Sequence, residues 1–255
     1  MTPQQIEQIR PMVQSIVEGR WDFDFPVRPT CGRWVQGLTV RPFLRDYFPG
    51  YSRYVWIDAD IWFQDSRALE LMLARQGEDI CLTPELHCAY PYLYGLSDLR
   101  ANNQRFCTES FGPEAAKVLG DKAVLNAGMF AVNRDSSFWD LYRKFVVQGF
   151  LQGPNKWTEQ FALNLVMYTS TVRMRPMPAW TNWICTYALP VYDGNARHLC
   201  ESVAPFSKLS GIHITGVNSP GLQLLEVSRS RVTLPIDYIG FRAATAAGAR
   251  SSPPG

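Results

Sequence analysis

Asp58 and Asp60 stand one small residue apart, directly after Tyr54-Val55-Trp56-Ile57. Four apolar residues, two aromatic and two β-branched, read as a short buried strand. Alternate residues of an extended segment point the same way, so both carboxylates are expected to aim at one point. In an open α/β sheet, ligands sit just beyond the carboxyl ends of the strands. Two like charges there repel unless a cation lies between them, and a divalent metal is the simplest candidate. The tripeptide alone is a weak motif, since many Asp-x-Asp pairs are solvated turns or helix caps. Its place after a hydrophobic strand is what gives it weight.

Other polar residues stand at similarly unusual places. Asn126 and Gly128 interrupt the apolar run Val124 to Val132. A Gly inside a strand pattern marks a bulge or a close approach. Glu159 and Gln160 follow Thr158 at a helix start, where ordinary helix-start chemistry also explains them. His213 lies inside the short apolar strand Gly211 to Gly216, a setting in which a hydrogen-bonded core histidine is common. Arg41 opens a short helix expected from Val40 to Phe48.

The elements that must position these groups read as follows. Thr2-Pro3-Gln4-Gln5 looks like a capped helix start, with Ile6, Ile9, Val13, Ile16 and Val17 on one face and Gly19 as the stop. Pro11 should kink or divide that helix. Trp21 to Pro26 alternates apolar and acidic residues, as an edge strand does. Pro49-Gly50 turns the chain into the strand before Asp58, taken as central. Asp65 or Ser66 opens a helix to about Arg75 with Leu69, Met72 and Leu73 inward. Ile80 to Thr83 is a strand, and Pro84 to Asn103 is an irregular, Tyr-rich loop holding Tyr90, Tyr92 and Tyr94. Phe138, Leu141, Tyr142, Phe145 and Val146 mark an amphipathic helix closed by Gly149 and Gly153. Glu159 to about Tyr168 is a helix, and Thr171 to Met174 a strand. The stretch through Pro176 and Trp183 to Pro190 is irregular. Small residues with Pro and Gly from residue 243 to 255 suggest a disordered tail. No internal repeat is visible.

A chain of 255 residues fits one large domain, here 1–242. A net charge of only +2 gives no basic surface for nucleic acid. The six cysteines form no C-x-x-C pair, which argues against a structural zinc site and for reduced, cytoplasmic thiols. No apolar run is long enough to span a bilayer, and the N-terminus lacks a secretion-signal layout. Peripheral attachment at the inner face of a membrane stays compatible with this.

Four segments in order resemble the retaining glycosyltransferases of the GT-A fold, close to the family 8 group. Ile57-Asp58-Ala59-Asp60 resembles their strand-ending D-x-D. Leu125-Asn126-Ala127-Gly128 resembles F/L-N-A-G. Thr158-Glu159-Gln160-Phe161-Ala162-Leu163-Asn164 resembles D-Q-x-x-L-N, and Ile212-His213-Ile214-Thr215-Gly216 resembles I-H-F-x-G. The similarity runs from about Val40 to Gly216.

The resemblance implies an α/β fold with a central mixed sheet flanked by helices. It implies transfer of a sugar from a nucleotide-sugar donor, a UDP-sugar in particular, to a carbohydrate or glycolipid acceptor with retention. Asp58, Asp60 and His213 would hold Mn2+ or Mg2+, a donor set of two hard oxygens and an imidazole. Asn126 and Gln160 would serve the reacting sugar. Arg41, Ala59, Ala127, Gly128, Glu159 and Gly216 would complete the donor site, Glu159 standing where the family usually has Asp. Two departures are visible. Only 57 residues precede Asp58, without an apolar first strand, so the family's N-terminal strand–helix–strand unit is expected to be missing. No Lys follows Gly216, where the family often contacts diphosphate. The alternatives are a catalytically impaired sugar- or nucleotide-binding relic of the same fold, and a D-x-D phosphatase with Asp58 as nucleophile.

Overall fold

Pro3 presets the φ of a first helical turn and lacks an amide that would have no partner there. The first helix, α1 (Pro3–Ile9), starts at it. The structure is a computed structural model that describes residues 3–74, 76–90, 96–215 and 221–246. After α1 the chain makes one 3-10 turn, Arg10–Met12, and Val13 is extended. The expected helix thus stops at Met12 instead of Gly19. Pro11 cannot donate to a continuing helix, and Met12, Val13 and Val17 are exposed, so no apolar face rewards one. Trp21 to Pro26 forms no strand. Its rings pack instead on a later helix, Phe25 lying 5.0 Å from Phe150 between ring centroids. Helix α2 (Val35–Thr39), a 3-10 turn at Arg41–Phe43 and α3 (Leu44–Tyr47) follow, with Arg41 buried.

The chain then enters β1 (Arg53–Ile57), β2 (Ile61–Phe63), α4 (Arg67–Leu73) and β3 (Ile80–Pro84). On α4, Ala68 and Met72 face inward, while Leu73, expected to, is exposed. Helix α5 (Leu96–Leu119) occupies the end of what read as a loop, and breaks at Gly112, whose φ is +82. Next come β4 (Leu125–Asn133), α6 (Phe138–Gln152), α7 (Thr158–Thr169) and β5 (Met174–Pro176).

These strands make the central mixed sheet, in the order β1-β4-β3-β5. β1 and β3 both run antiparallel to β4, and β5 runs parallel to β3. The strand that delivers Asp58 is therefore an edge strand, not the central one. Position in the sheet goes to β4, which is buried over nearly its whole length. Helices α5, α6 and α7 cover one face through a core that includes Phe130, Trp139, Tyr142 and Phe161. Met72 of α4 packs on the other face with Met129 and Ala131.

β4 changes face part-way along. Leu125 and Ala127 lie in the helix-side core, but so do Phe130 and Val132. Strict alternation cannot do this, and the ladder shows why. Leu82 opposes Phe130 while Pro84 opposes Leu125, so β4 accommodates extra residues at a bulge around Gly128.

The rest of the chain forms β6 (Trp183–Ile184), the hairpin β7 (Val191–Asp193) with β8 (His198–Cys200), β9 (Gly211–His213), β10 (Leu222–Leu225), β11 (Arg231–Leu234) and α8 (Tyr238–Ala246). A second sheet, β2-β9-β6, joins this part to the first. Its core gathers Trp62, Trp183, Leu199, Ile212 and Phe241. The tail expected from residue 243 is helical as far as Ala246; Gly216, Tyr92 and Tyr94 lie outside the described residues. Among the described residues, no helix is long and apolar enough to cross a membrane.

Candidate active-site cleft

The Asp58 amide donates to the Gly128 carbonyl (2.8 Å), and the Ile61 amide donates to the Asp58 carbonyl (3.0 Å). Residues 58–61 therefore close a tight turn between β1 and β2. The two carboxylates converge because of that turn, not through strand alternation. His213 reaches them because β9 pairs with β2, placing His213 opposite Ile61, and the Ile214 amide donates to the Asp60 carbonyl (3.0 Å).

A carboxylate oxygen from each aspartate and a His213 ring nitrogen all lie within 4.8 Å of one another. His213 Nε2 stands 3.4 Å from Asp60 Oδ1, and this contact leads the causes holding the Asp60 carboxyl below its ordinary value. His213 is buried and its Nδ1 has no partner. Asp58 Oδ1 accepts from Trp56 Nε1 (2.7 Å) and from Arg41 Nη2 (2.6 Å), which leaves Oδ2 on the side of His213. Gly128 sits in the gap. A Cβ built there would lie 2.5 Å from His213 Cε1 and 3.0 Å from Asp58 Oδ2. What approaches Gly128 closely is thus the chain's own imidazole and carboxylate. Two hard oxygens and one imidazole fit Mn2+ or Mg2+.

Arg41 links this turn to α7. Its guanidinium donates to Asp58, to Glu159 Oε2 (2.5 Å) and to the Ala127 carbonyl (3.2 Å), and it lies over the Trp56 ring. Glu159 is buried with Oε1 unpartnered. Desolvation pushes its carboxyl up to about 8, against the pull of Arg41.

Asn126 and Gln160 line the cleft, but their amides serve the chain. Asn126 Oδ1 accepts from the Gly128 amide (3.0 Å) and Asn182 Nδ2 (2.9 Å). Gln160 Oε1 accepts from the Ala127 amide (3.1 Å). Asn126 Nδ2 and Gln160 Nε2 both donate to Glu85 Oε1, and Tyr187 donates its hydroxyl to Glu85 Oε2 (2.6 Å). Burial raises the Glu85 carboxyl despite these donors. Glu85, Asn182 and Tyr187 were not anticipated. The available signal for Glu85 was a carboxylate just past the largely apolar strand Ile80 to Thr83.

Arg41, Asp58, Asp60 and His213 border one cleft of about 650 Å3, together with Glu85, Asn126, Gly128, Glu159, Gln160 and Tyr187. Its other wall carries Arg105 and Phe106 of α5 with Lys156 and Trp157, which precede α7. Arg105 lies over the Phe106 ring and Lys156 over the Trp157 ring. Among the described residues neither cation has a carboxylate partner. The expected Ala59 is in the turn with Asp58 and Asp60.

No protein-family model and no curated protein matches the sequence. Among solved structures the chain is similar to the WbbM bifunctional glycosyltransferase in its apo form, at 16% identity over 79% of this chain and 33% of that one, with a TM-score of 0.43. It is similar to an active-site mutant of LgtC at 13% identity, over 90% and 72% of the two chains, with a TM-score of 0.47. It is also similar to mouse xyloside xylosyltransferase 1 in its apo form, at 14% identity over 72% and 65%, with a TM-score of 0.39. The chain spans about a third of the WbbM chain.

Proposed function

We propose that this chain is a metal-dependent glycosyltransferase of the GT-A type. It moves a sugar from a nucleotide-sugar donor, a UDP-sugar in particular, to a carbohydrate or glycolipid acceptor, with retention. The observation that carries the reading is the convergence of Asp58, Asp60 and His213 in the lining of a cleft of about 650 Å3. Two segments distant in sequence, Asp58–Asp60 and His213, had to meet for this, and each belongs to a motif of the family that the sequence resembles.

Asp58, Asp60 and His213 would hold Mn2+. When bound, the cation supplies Lewis-acid neutralisation of the charge that develops on the departing diphosphate. The chain's own groups do the remaining work. Arg41 holds one Asp58 oxygen and so turns the other toward the ion site. Asn126, Gln160 and Glu85 form one hydrogen-bonded unit, which fixes the floor on which the sugar rests. Arg105 and Lys156, which have no carboxylate partner among the described residues, offer positive charge across the cleft, in place of the Lys absent after Gly216. A phosphate oxygen between these walls would meet charge from both sides.

The test combines binding and turnover. Thermal stability is measured with Mn2+ and UDP-sugars, alone and together, and nucleoside diphosphate release is followed. A transferase gives stabilisation by metal and donor and diphosphate release, and Asp60→Ala loses the metal response. Stabilisation without release identifies a binding relic. Phosphate release from simple phosphoesters identifies the phosphatase instead.

A further inference from the structure

The β7–β8 hairpin carries a second convergence of metal-binding side chains, in the C-terminal part of the chain. Asp193 opposes His198 across the ladder, and Val191 opposes Cys200. Cross-strand partners share a face, and so do residues two apart on one strand. Asp193, His198 and Cys200 therefore project together, while Tyr192 and Leu199 enter the core on the other face. A carboxylate oxygen, an imidazole nitrogen and the Cys200 sulfur lie within 4.8 Å of one another.

Each donor is already oriented. Asp193 Oδ1 accepts from the amides of Asn195 (2.9 Å) and Ala196 (3.0 Å), which fixes the carboxylate and leaves Oδ2 without a hydrogen bond among the described residues. The Ala196 backbone also lies close enough to act electrostatically on the His198 ring. Cys200 is a free thiol, buried at 1% exposure. Lys208 is its bridge partner, the main opposing charge, but its ammonium is paired with Asp65 (3.0 Å).

We propose that Asp193, His198 and Cys200 bind a thiophilic divalent cation, of which zinc is the natural case. The donor set is one oxygen, one nitrogen and one sulfur, and the thiolate separates it from the oxygen-rich cleft site, which prefers harder ions. Tetrahedral zinc has ligand atoms roughly 3.5 Å apart, given bonds of about 2.0–2.3 Å. Binding would require rotation of the His198 and Cys200 side chains to bring donors within 4.8 Å to that spacing. On binding, the Cys200 S–H bond breaks, the sulfur–metal bond forms and the proton goes to solvent. Three protein ligands leave a fourth position for water. The ion would cross-link both strands of the hairpin, independently of what the cleft does.

The test uses Co2+ as the probe on the whole chain, reduced and stripped with a chelator. Thiolate bound to Co2+ gives a charge-transfer band in the near ultraviolet, which the sulfur-free Asp58–Asp60–His213 cluster cannot produce. One equivalent of Co2+ is expected to saturate the band, and Zn2+ to abolish it by displacement. The band should vanish in Cys200→Ser, require more than ~10-fold more Co2+ in His198→Gln, and survive in Cys88→Ser, which removes the exposed thiol. No band in the native chain, or a band that persists in Cys200→Ser, overturns the proposal. Folding of Cys200→Ser is checked by circular dichroism. If that variant does not fold, His198→Gln decides, and an unchanged Co2+ requirement there refutes the site.

Discussion

At the scale of single residues, the cleft depends on a position that contributes no side chain. Gly128 leaves space for His213 and Asp58 to face each other. Gly128→Ala puts a methyl into that space, and overpacking of this kind costs about 1–3 kcal/mol. Chemical denaturation should show a loss of that size, and thermal shift should show that Mn2+ no longer stabilises the variant. Glu159 makes a second prediction. In the fold it keeps its proton up to about pH 8, whereas an unfolded glutamate releases it near pH 4.3. Between those values the native state binds the extra proton, so stability falls as pH rises through the window and levels off above it. Urea denaturation from pH 5 to pH 8 should show this slope in the metal-free chain and a flatter profile in Glu159→Gln. The meeting of Asp58, Asp60 and His213 was legible because all three sit in short motifs with distinctive neighbours. The network beneath it was not. Glu85, Asn182 and Tyr187 lie in irregular segments, and only folding brings them to Asn126 and Gln160.

At the scale of elements, Glu78 ties the two edges of the central sheet. It precedes β3 and accepts from Arg53 of β1 (2.8 Å) and Arg175 of β5 (3.5 Å). Its side chain is 5% exposed and that of Arg53 6%. Removing one partner of a buried pair strands the other charge, at about 3–5 kcal/mol. Glu78→Ala should lose that much in equilibrium unfolding, through both guanidinium groups at once. Strongly patterned elements could be read in advance, namely β3, β4, α6 and α7. Helix α5 could not, because it has no apolar stripe and holds Gly112-Pro113 inside it. The place of β1 in the sheet was equally hidden. A run of apolar residues does not distinguish an edge strand from a central one when a helix-side core covers one of its faces.

At the scale of the molecule, the Asp58–Asp60–His213 cluster lies on the seam between two cores. Asp58 follows a strand of the helix-covered sheet, and His213 belongs to the strand paired with β2 and β6. A ligand that holds both should stabilise the whole fold. At a Mn2+ concentration of 100 Kd, linkage gives about 2.7 kcal/mol, measurable as a rise in denaturation midpoint and absent in Asp60→Ala. The sharing of Arg41 between Asp58 and Glu159 has a calorimetric corollary. The negative charge of Asp58 helps to keep Glu159 neutral, and a cation beside Asp58 cancels that influence. Loading the cleft should therefore expel hydrogen ions into the buffer. Heats of Mn2+ injection would then vary with the ionisation enthalpy of the buffer, and less steeply once residue 159 is an amide.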